Sequence, residues 1–175
     1  MANLIDPSYF IRDIKIPNVY SPAVAENVNQ FIAKYEPQCL RLLFGYDFYT
    51  LFQTEGITER MKDLLDGKGE WMGLVRPDIK DSLIAYYVYY FFEESMATQS
   101  TGVATSITQD ASAMNVSPAD KMVAAWNQFS YRVTAMYNFL ALSKDVDGNK
   151  VYPELGLDVV YRGMEMFRPI NYFSI

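Results

Sequence analysis

The 175-residue chain contains no histidine. That absence removes Ser-His-Asp and Cys-His catalysis together with the commonest metal ligand. A single cysteine, Cys39, excludes an internal disulfide and cannot supply a zinc set. Set between apolar neighbours in an expected helix, it reads as a buried, inert thiol. No serine has a lysine three residues on, so the Ser-x-x-Lys nucleophile is missing too. Gly67, Gly69 and Gly73 match neither dinucleotide-binding nor P-loop spacing and read as a flexible helix connection. Basic residues number 15 against 21 acidic ones, for a net charge of −6. They are scattered, which speaks against tight wrapping of nucleic acid. The longest apolar run, Leu83–Phe92, falls well short of the roughly 20 residues a bilayer span requires. The N-terminal MANLIDPSYF has neither the basic region nor the apolar core of a signal peptide, so a soluble chain made in a reducing cytoplasm is expected.

Two acidic patterns remain. Asp145-Val146-Asp147-Gly148-Asn149 resembles the front of a calcium loop, but an EF-hand has Gly sixth and Glu twelfth. Here Gly148 is fourth and Gly156 occupies the twelfth place, so a plain turn fits better and no metal is expected. Glu93 and Glu94 are adjacent, and neighbours on a helix point about 100° apart, too far to share a proton. They read as the place where a helix reaches solvent or a partner. With no catalytic pattern in view, the chain is expected not to be an enzyme and to need no cofactor.

What the chain has in abundance is aromatic surface: 14 Tyr, 11 Phe and 2 Trp, in a chain that is 50% hydrophobic. Tyrosine favours sites with one wet end, which suits subunit interfaces and equally suits a core whose hydroxyls reach outward. The centre of the organisation is Pro77–Ala97, PDIKDSLIAYYVYYFFEESMA. Pro77 suits a first helical turn, Asp78 and Asp81 suit its positive end, and no Gly or Pro follows before Gly102. Being apolar all round, this helix must be enclosed by others.

Taken in order, residues 1–20 fit neither helix nor strand period and read as an arm, extended with one helical turn at most. A single helical domain over 21–175 follows, with an apolar tail from about residue 151. Ser21-Pro22 opens a helix with Val24, Val28, Phe31, Ile32 and Tyr35 buried; Glu36-Pro37 is expected to break it. A second helix ends at Gly45, a third covers Tyr46–Gln53, and a fourth runs from a Thr58 cap to Asp66-Gly67. Trp71 is expected to tuck back onto the core. Ser117-Pro118-Ala119-Asp120 reads as a capping box for a helix to about residue 142. That helix carries Met122, Trp126, Phe129, Val133, Met136 and Leu140 at steps of four and three. The expected fold is therefore all-α, a bundle around two long antiparallel helices near 78–97 and 118–142.

Two segments are not explained by such a bundle. Gln99–Asn115 is too polar for core and too long for a connection, and its Val103, Thr105 and Ile107 alternate as a short strand or hairpin would. Phe167–Ile175 is too aromatic to be a disordered tail, so it packs back on the domain or docks onto a neighbour. Gly102, Val103, Thr105, Ile107, Phe167, Pro169, Tyr172 and Phe173 are the candidate assembly contacts.

The order of these pieces resembles a known set. CLRLLFGYDFY (Cys39–Tyr49) is similar to the I-x-x-I-L-G-x-x-L-Y stretch of one phage family. It is followed by a DLLDG helix end at Asp63–Gly67, a YYVYYFF helix running into TQSTGVATS, a helix from a Ser-Pro cap, and a closing INYFSI. Together these resemble the head–tail connector proteins (head-completion or portal-adaptor proteins) of tailed phages and prophages. Phe44 stands where that family usually has Leu, and Ser174 where Gly is frequent. The resemblance implies a small helical structural protein that forms a homo-oligomeric ring beneath the portal and extends the DNA channel. Its implied partners are the portal protein, neighbouring copies of itself and a tail-side adaptor, with DNA only as passing duplex and no membrane. It implies residence in the host bacterial cytoplasm during assembly and then in the virion. The competing expectation is a non-enzymatic helical protein-binding module of host origin.

Overall fold

The computed structural model describes residues 3–54, 58–68, 71–98, 118–153 and 165–170. In these, the helices are α1 (Pro22–Thr54), α2 (Glu59–Asp66), α3 (Leu83–Thr98) and α4 (Pro118–Leu142). A two-stranded antiparallel hairpin, β1 (Val75–Arg76) with β2 (Asp81–Ser82), lies between α2 and α3. The expected all-α bundle is what the chain forms.

α3 is enclosed as its composition requires. Seven consecutive residues, Leu83 to Tyr89, are buried. Tyr87 meets Phe129 at 5.2 Å between ring centroids, and one turn later Tyr90 meets Trp126 at 5.1 Å. Rising numbers on α3 thus face falling numbers on α4, so the two helices are antiparallel. α1 lies on another side of α3, also antiparallel, with Phe31 against Phe92 at 5.3 Å and Tyr35 stacked on Phe91 at 4.4 Å. The seam expected on α4 is the packing seam: Phe129, Val133, Met136 and Leu140 are buried, and Met122 and Trp126 partly so.

α3 begins later than Pro77. Residues 77–80 form the hairpin turn, with Lys80 in the left-handed region at φ 51°. Ser82 is the cap: its hydroxyl accepts the Ile84 N–H at 3.1 Å and donates to the Leu74 carbonyl at 2.8 Å. The Leu83 N–H goes to that same carbonyl at 3.1 Å. The hairpin therefore supplies partners for the helix's first free donors, and a start at Pro77 would forgo them.

The break expected at Glu36-Pro37 does not occur. α1 continues through Pro37, and its interruption lies at Gly45, with φ 80° and ψ 169°. A proline inside a helix costs about 3 kcal/mol through its missing donor and its ring. Ile32, Cys39, Leu40 and Leu43 are all buried on the same face, and four such side chains outweigh that penalty.

Residues 3–20 include two 3-10 turns, Pro7–Tyr9 and Arg12–Ile14, rather than forming an extended arm. Their side chains join the core: Ile5, Tyr9, Phe10, Ile14, Ile16 and Val19 are buried. Thr58 occupies the cap position of α2, yet its side chain makes no capping bond. Gly67 and Gly73 form a close backbone crossing where a flexible link was expected. A Cβ on Gly67 would lie 2.5 Å from the Trp71 carbonyl oxygen, and both glycines have positive φ. Trp71 is buried as expected, its Nε1–H donating to the Leu64 carbonyl at 2.9 Å.

Candidate functional site

Interior polar groups show what the molecule invests its few buried charges in. Glu36 sits on the buried stripe of α1, and its carboxylate accepts the Leu4 N–H at 2.8 Å and the Ile5 N–H at 3.2 Å. Burial raises its pKa, and the two N–H donors partly oppose that rise. One helical turn away, burial and then the Glu36 charge push the Cys39 thiol well up, which leaves it neutral and unreactive. Glu36 is a residue the sequence reading passed over, although it lies four residues after Ile32 and four before Leu40.

A second polar cluster joins the arm, the hairpin and α4 around a cleft of about 190 Å³. Arg132 Nη1 bonds Asp81 Oδ2 at 2.8 Å, and the guanidinium lies 4.6 Å from the Tyr86 ring centroid. Lys80 Nζ stands 4.8 Å from the Tyr9 ring centroid and 3.8 Å from Asp6 Oδ2. Burial disfavours the Asp6 charge, but bonds from Ser8 and the Lys80 ammonium outweigh it and lower the carboxyl's pKa. Burial raises the pKa of Tyr86, Tyr87, Tyr89 and Tyr137. Tyr137 donates its hydroxyl to the Leu43 carbonyl at 2.8 Å, close to the Gly45 break. Arg132 thus ties α4 to β2, and Tyr137 ties α4 to α1.

The Asp145–Asn149 segment is a closed turn. Asp145 Oδ1 accepts the N–H groups of Asp147 and Asn149, each at 2.9 Å. The bond from the Asn149 N–H is the main reason its pKa is lowered. Among the described residues no three or more His, Cys, Asp or Glu gather as a metal site would need. Nor is any helix among them long and apolar enough to cross a membrane.

Of the candidate assembly contacts, Gly102, Val103, Thr105, Ile107, Tyr172 and Phe173 lie outside the described residues, as does Ser117 of the capping box. Phe167 is buried on its own domain, edge-on to Phe129 at 5.2 Å and 6.2 Å from Trp126. Around it the backbone is gripped from α4. The Ser130 hydroxyl donates to the Phe167 carbonyl, Trp126 Nε1–H to the Arg168 carbonyl at 2.9 Å, and Asn127 exchanges two bonds with Ile170. Residues 165–170 are thus a strap across α4, with Pro169 exposed on it. No protein-family model matches the chain, and no curated protein or solved structure matches it either.

Proposed function

We propose that this chain is a structural virion protein, a subunit of a head–tail connector ring that extends the portal channel of a tailed phage or prophage. The observation that carries the reading is the use of the interior polar groups. Glu36 fastens the arm to α1, Ser82 fastens the hairpin to α3, Arg132 fastens α4 to β2, and Tyr137 fastens α4 to α1. A ring subunit under load from a packaged genome needs a body that moves as one piece, and long-range polar ties over an aromatic core make one. The Cys39–Tyr49 stretch, on which the resemblance to connector proteins partly rests, holds the Gly45 break and the Leu43 carbonyl that Tyr137 grips. The acidic balance also suits a channel wall, where repulsion keeps a moving duplex from adhering.

The test is genetic and microscopic. Deleting the gene from the phage or lysogen that encodes it should leave DNA-filled heads that carry no tails, with the protein present in multiple copies in wild-type particles. Infectious tailed particles made without it would overturn the proposal.

A further inference from the structure

Besides the seam that meets α3, α4 carries a second one: Ala124, Gln128, Tyr131, Ala135, Asn138 and Leu142, again at steps of four and three. It lies on the side of the helix turned away from α3. Tyr131 is 60% exposed and Leu142 77%; Ala124, Gln128 and Asn138 are exposed as well, and Ala135 is half-buried. The outer face of a surface helix is normally charged. Between Lys121 and Lys144 the one charged residue is Arg132, and its guanidinium is bound to Asp81. About five turns of solvent-facing helix are therefore free of charge, with a tyrosine and a leucine standing out from them.

The order of side chains along this seam is self-complementary. Its four-three-four-three-four spacing reads the same in both directions, so two copies of α4 laid antiparallel about a twofold axis at residue 133 bring all six positions together. Ala124 then faces Leu142 of the second copy, Gln128 faces Asn138, and Tyr131 faces Ala135. Each bulky side chain has a small one opposite, and the two amides can exchange hydrogen bonds. A groove of about 400 Å³ lies beside Ala135, Asn138 and Leu142, with Trp71 and Phe139 stacked in its wall at 6.4 Å between centroids. That volume is within the range of pockets that take small aromatic ligands, about 300–1,000 Å³. The side chain opposite Ala135 in this register is Tyr131, so each copy offers a ring to the groove of the other. Asn138 and Lys68, also lining the groove, suit the phenol's polar end. Charge neither drives nor opposes the pairing, since Asp120 and Lys121 at one end of the helix and Lys144 and Asp145 at the other balance within each end.

We infer that the outer face of α4 is the docking surface for α4 of a second copy, in an antiparallel, twofold-symmetric dimer whose anchor is Tyr131 seated against Ala135 and the Trp71–Phe139 groove. Such a contact is isologous and closes on itself, so it describes the free chain and cannot by itself build a ring. It goes beyond the connector reading and does not depend on it. With about five turns of helix on each side, the contact belongs at the low end of interface sizes, about 1,200 Å² in all, and the dimer is reversible.

Sedimentation across a concentration series and site-directed cross-linking of the full-length chain test it, since Cys39 is buried and unreactive. The wild type should pass from monomer to dimer as concentration rises. Tyr131→Ala, at an exposed position, should weaken that association about thirtyfold and leave the melting temperature of the monomer unchanged. Tyr20→Ala, equally exposed but on the arm, should change neither. Chains carrying Ala124→Cys and Leu142→Cys, mixed and oxidised, should give a disulfide-linked heterodimer, whereas neither alone should link to itself. In the antiparallel register, 18 residues of helix, about 27 Å, separate each of these cysteines from its own copy. A chain that sediments as a monomer at every concentration overturns the dimer. A dimer that survives Tyr131→Ala and gives no Ala124–Leu142 link overturns this face, and homodimers linked through Ala124→Cys alone overturn the antiparallel register. A larger oligomer without the Ala124–Leu142 link sinks the α4 pairing and leaves the connector reading standing.

Discussion

The Glu36 carboxylate reaches back 32 residues to take the Leu4 N–H at 2.8 Å, and its second oxygen takes that of Ile5. A buried acid in mid-helix thereby holds down the backbone at Leu4 and Ile5. Burial raises its folded-state pKa above the ordinary value, so the folded protein holds this proton more tightly than the unfolded chain does. Stability contributed by this group therefore increases as pH falls through the folded pKa toward the ordinary one, and is lost as pH rises through that window. Asp6 and Asp145, with lowered pKa values, work in the opposite sense. The readout is thus a difference. Urea unfolding of the wild type minus that of Glu36→Gln should show stability declining as pH climbs above the ordinary Glu range. Glutamine also turns an amide donor toward one of the two N–H groups, so the variant should lose about 1–3 kcal/mol near neutral pH. Exchange of the Leu4 and Ile5 amides should accelerate with it.

The glycines separate two kinds of cost. Gly45, at φ 80° and ψ 169°, lies in a region essentially reserved for glycine but has nothing within 4 Å of an added Cβ, so Gly45→Ala should cost backbone strain alone, about 2 kcal/mol. Gly67→Ala adds overlap with the Trp71 carbonyl to the same strain and should cost about 3 kcal/mol. Thermal unfolding of the pair measures the gap. Equal midpoints would show that the α2–hairpin crossing yields easily.

Tyr137→Phe removes one hydroxyl and leaves the ring. The Leu43 carbonyl loses a partner from 94 residues away, and the expected loss is about 1–2 kcal/mol. Hydrogen exchange should rise locally around residues 43–47. Uniform acceleration throughout the chain would mean that the bond supports global stability and not the break at Gly45.

Much of this fold was legible in the residue pattern because packing and pattern agree there. The four-three spacing from Met122 to Leu140 and the ten-residue apolar run of α3 admit few other solutions. Pro37 misled because a local rule about the residue before proline was set against the stripe Val28, Ile32, Glu36, Leu40 and Leu43, which continues unbroken. Glu36 looked like a gap in that stripe only because its partners are backbone groups some 30 residues upstream, which leave no mark in the local sequence. The start of α3 was hidden similarly. Pro77 and Asp78 satisfy a helix start, yet Ser82 does so too, and only the hairpin decides between them. Phe167 read as an interface residue because nothing in its own neighbourhood announces the grip offered by Asn127 and Ser130 on α4.

The strap at 165–170 provides the sharpest separation of folding from assembly. Phe167 fills a position against Phe129 and Trp126, and its backbone neighbours take bonds from Trp126, Asn127 and Ser130. A chain ending at Ile170 keeps all of these contacts, so its melting temperature should stay close to that of the full chain. A chain ending before Glu165 loses them together and uncovers the aromatic face of α4. By the cost of deleting one buried phenylalanine, that loss is about 3 kcal/mol or more. Phe167→Ala in the full chain should fall between the two and raise amide exchange at Arg168 and Ile170. If the shorter deletion unfolds the protein, residues 171–175 belong to its own core. If it leaves the fold intact and abolishes incorporation into particles, those last five residues serve the assembly, while Phe167 serves the subunit.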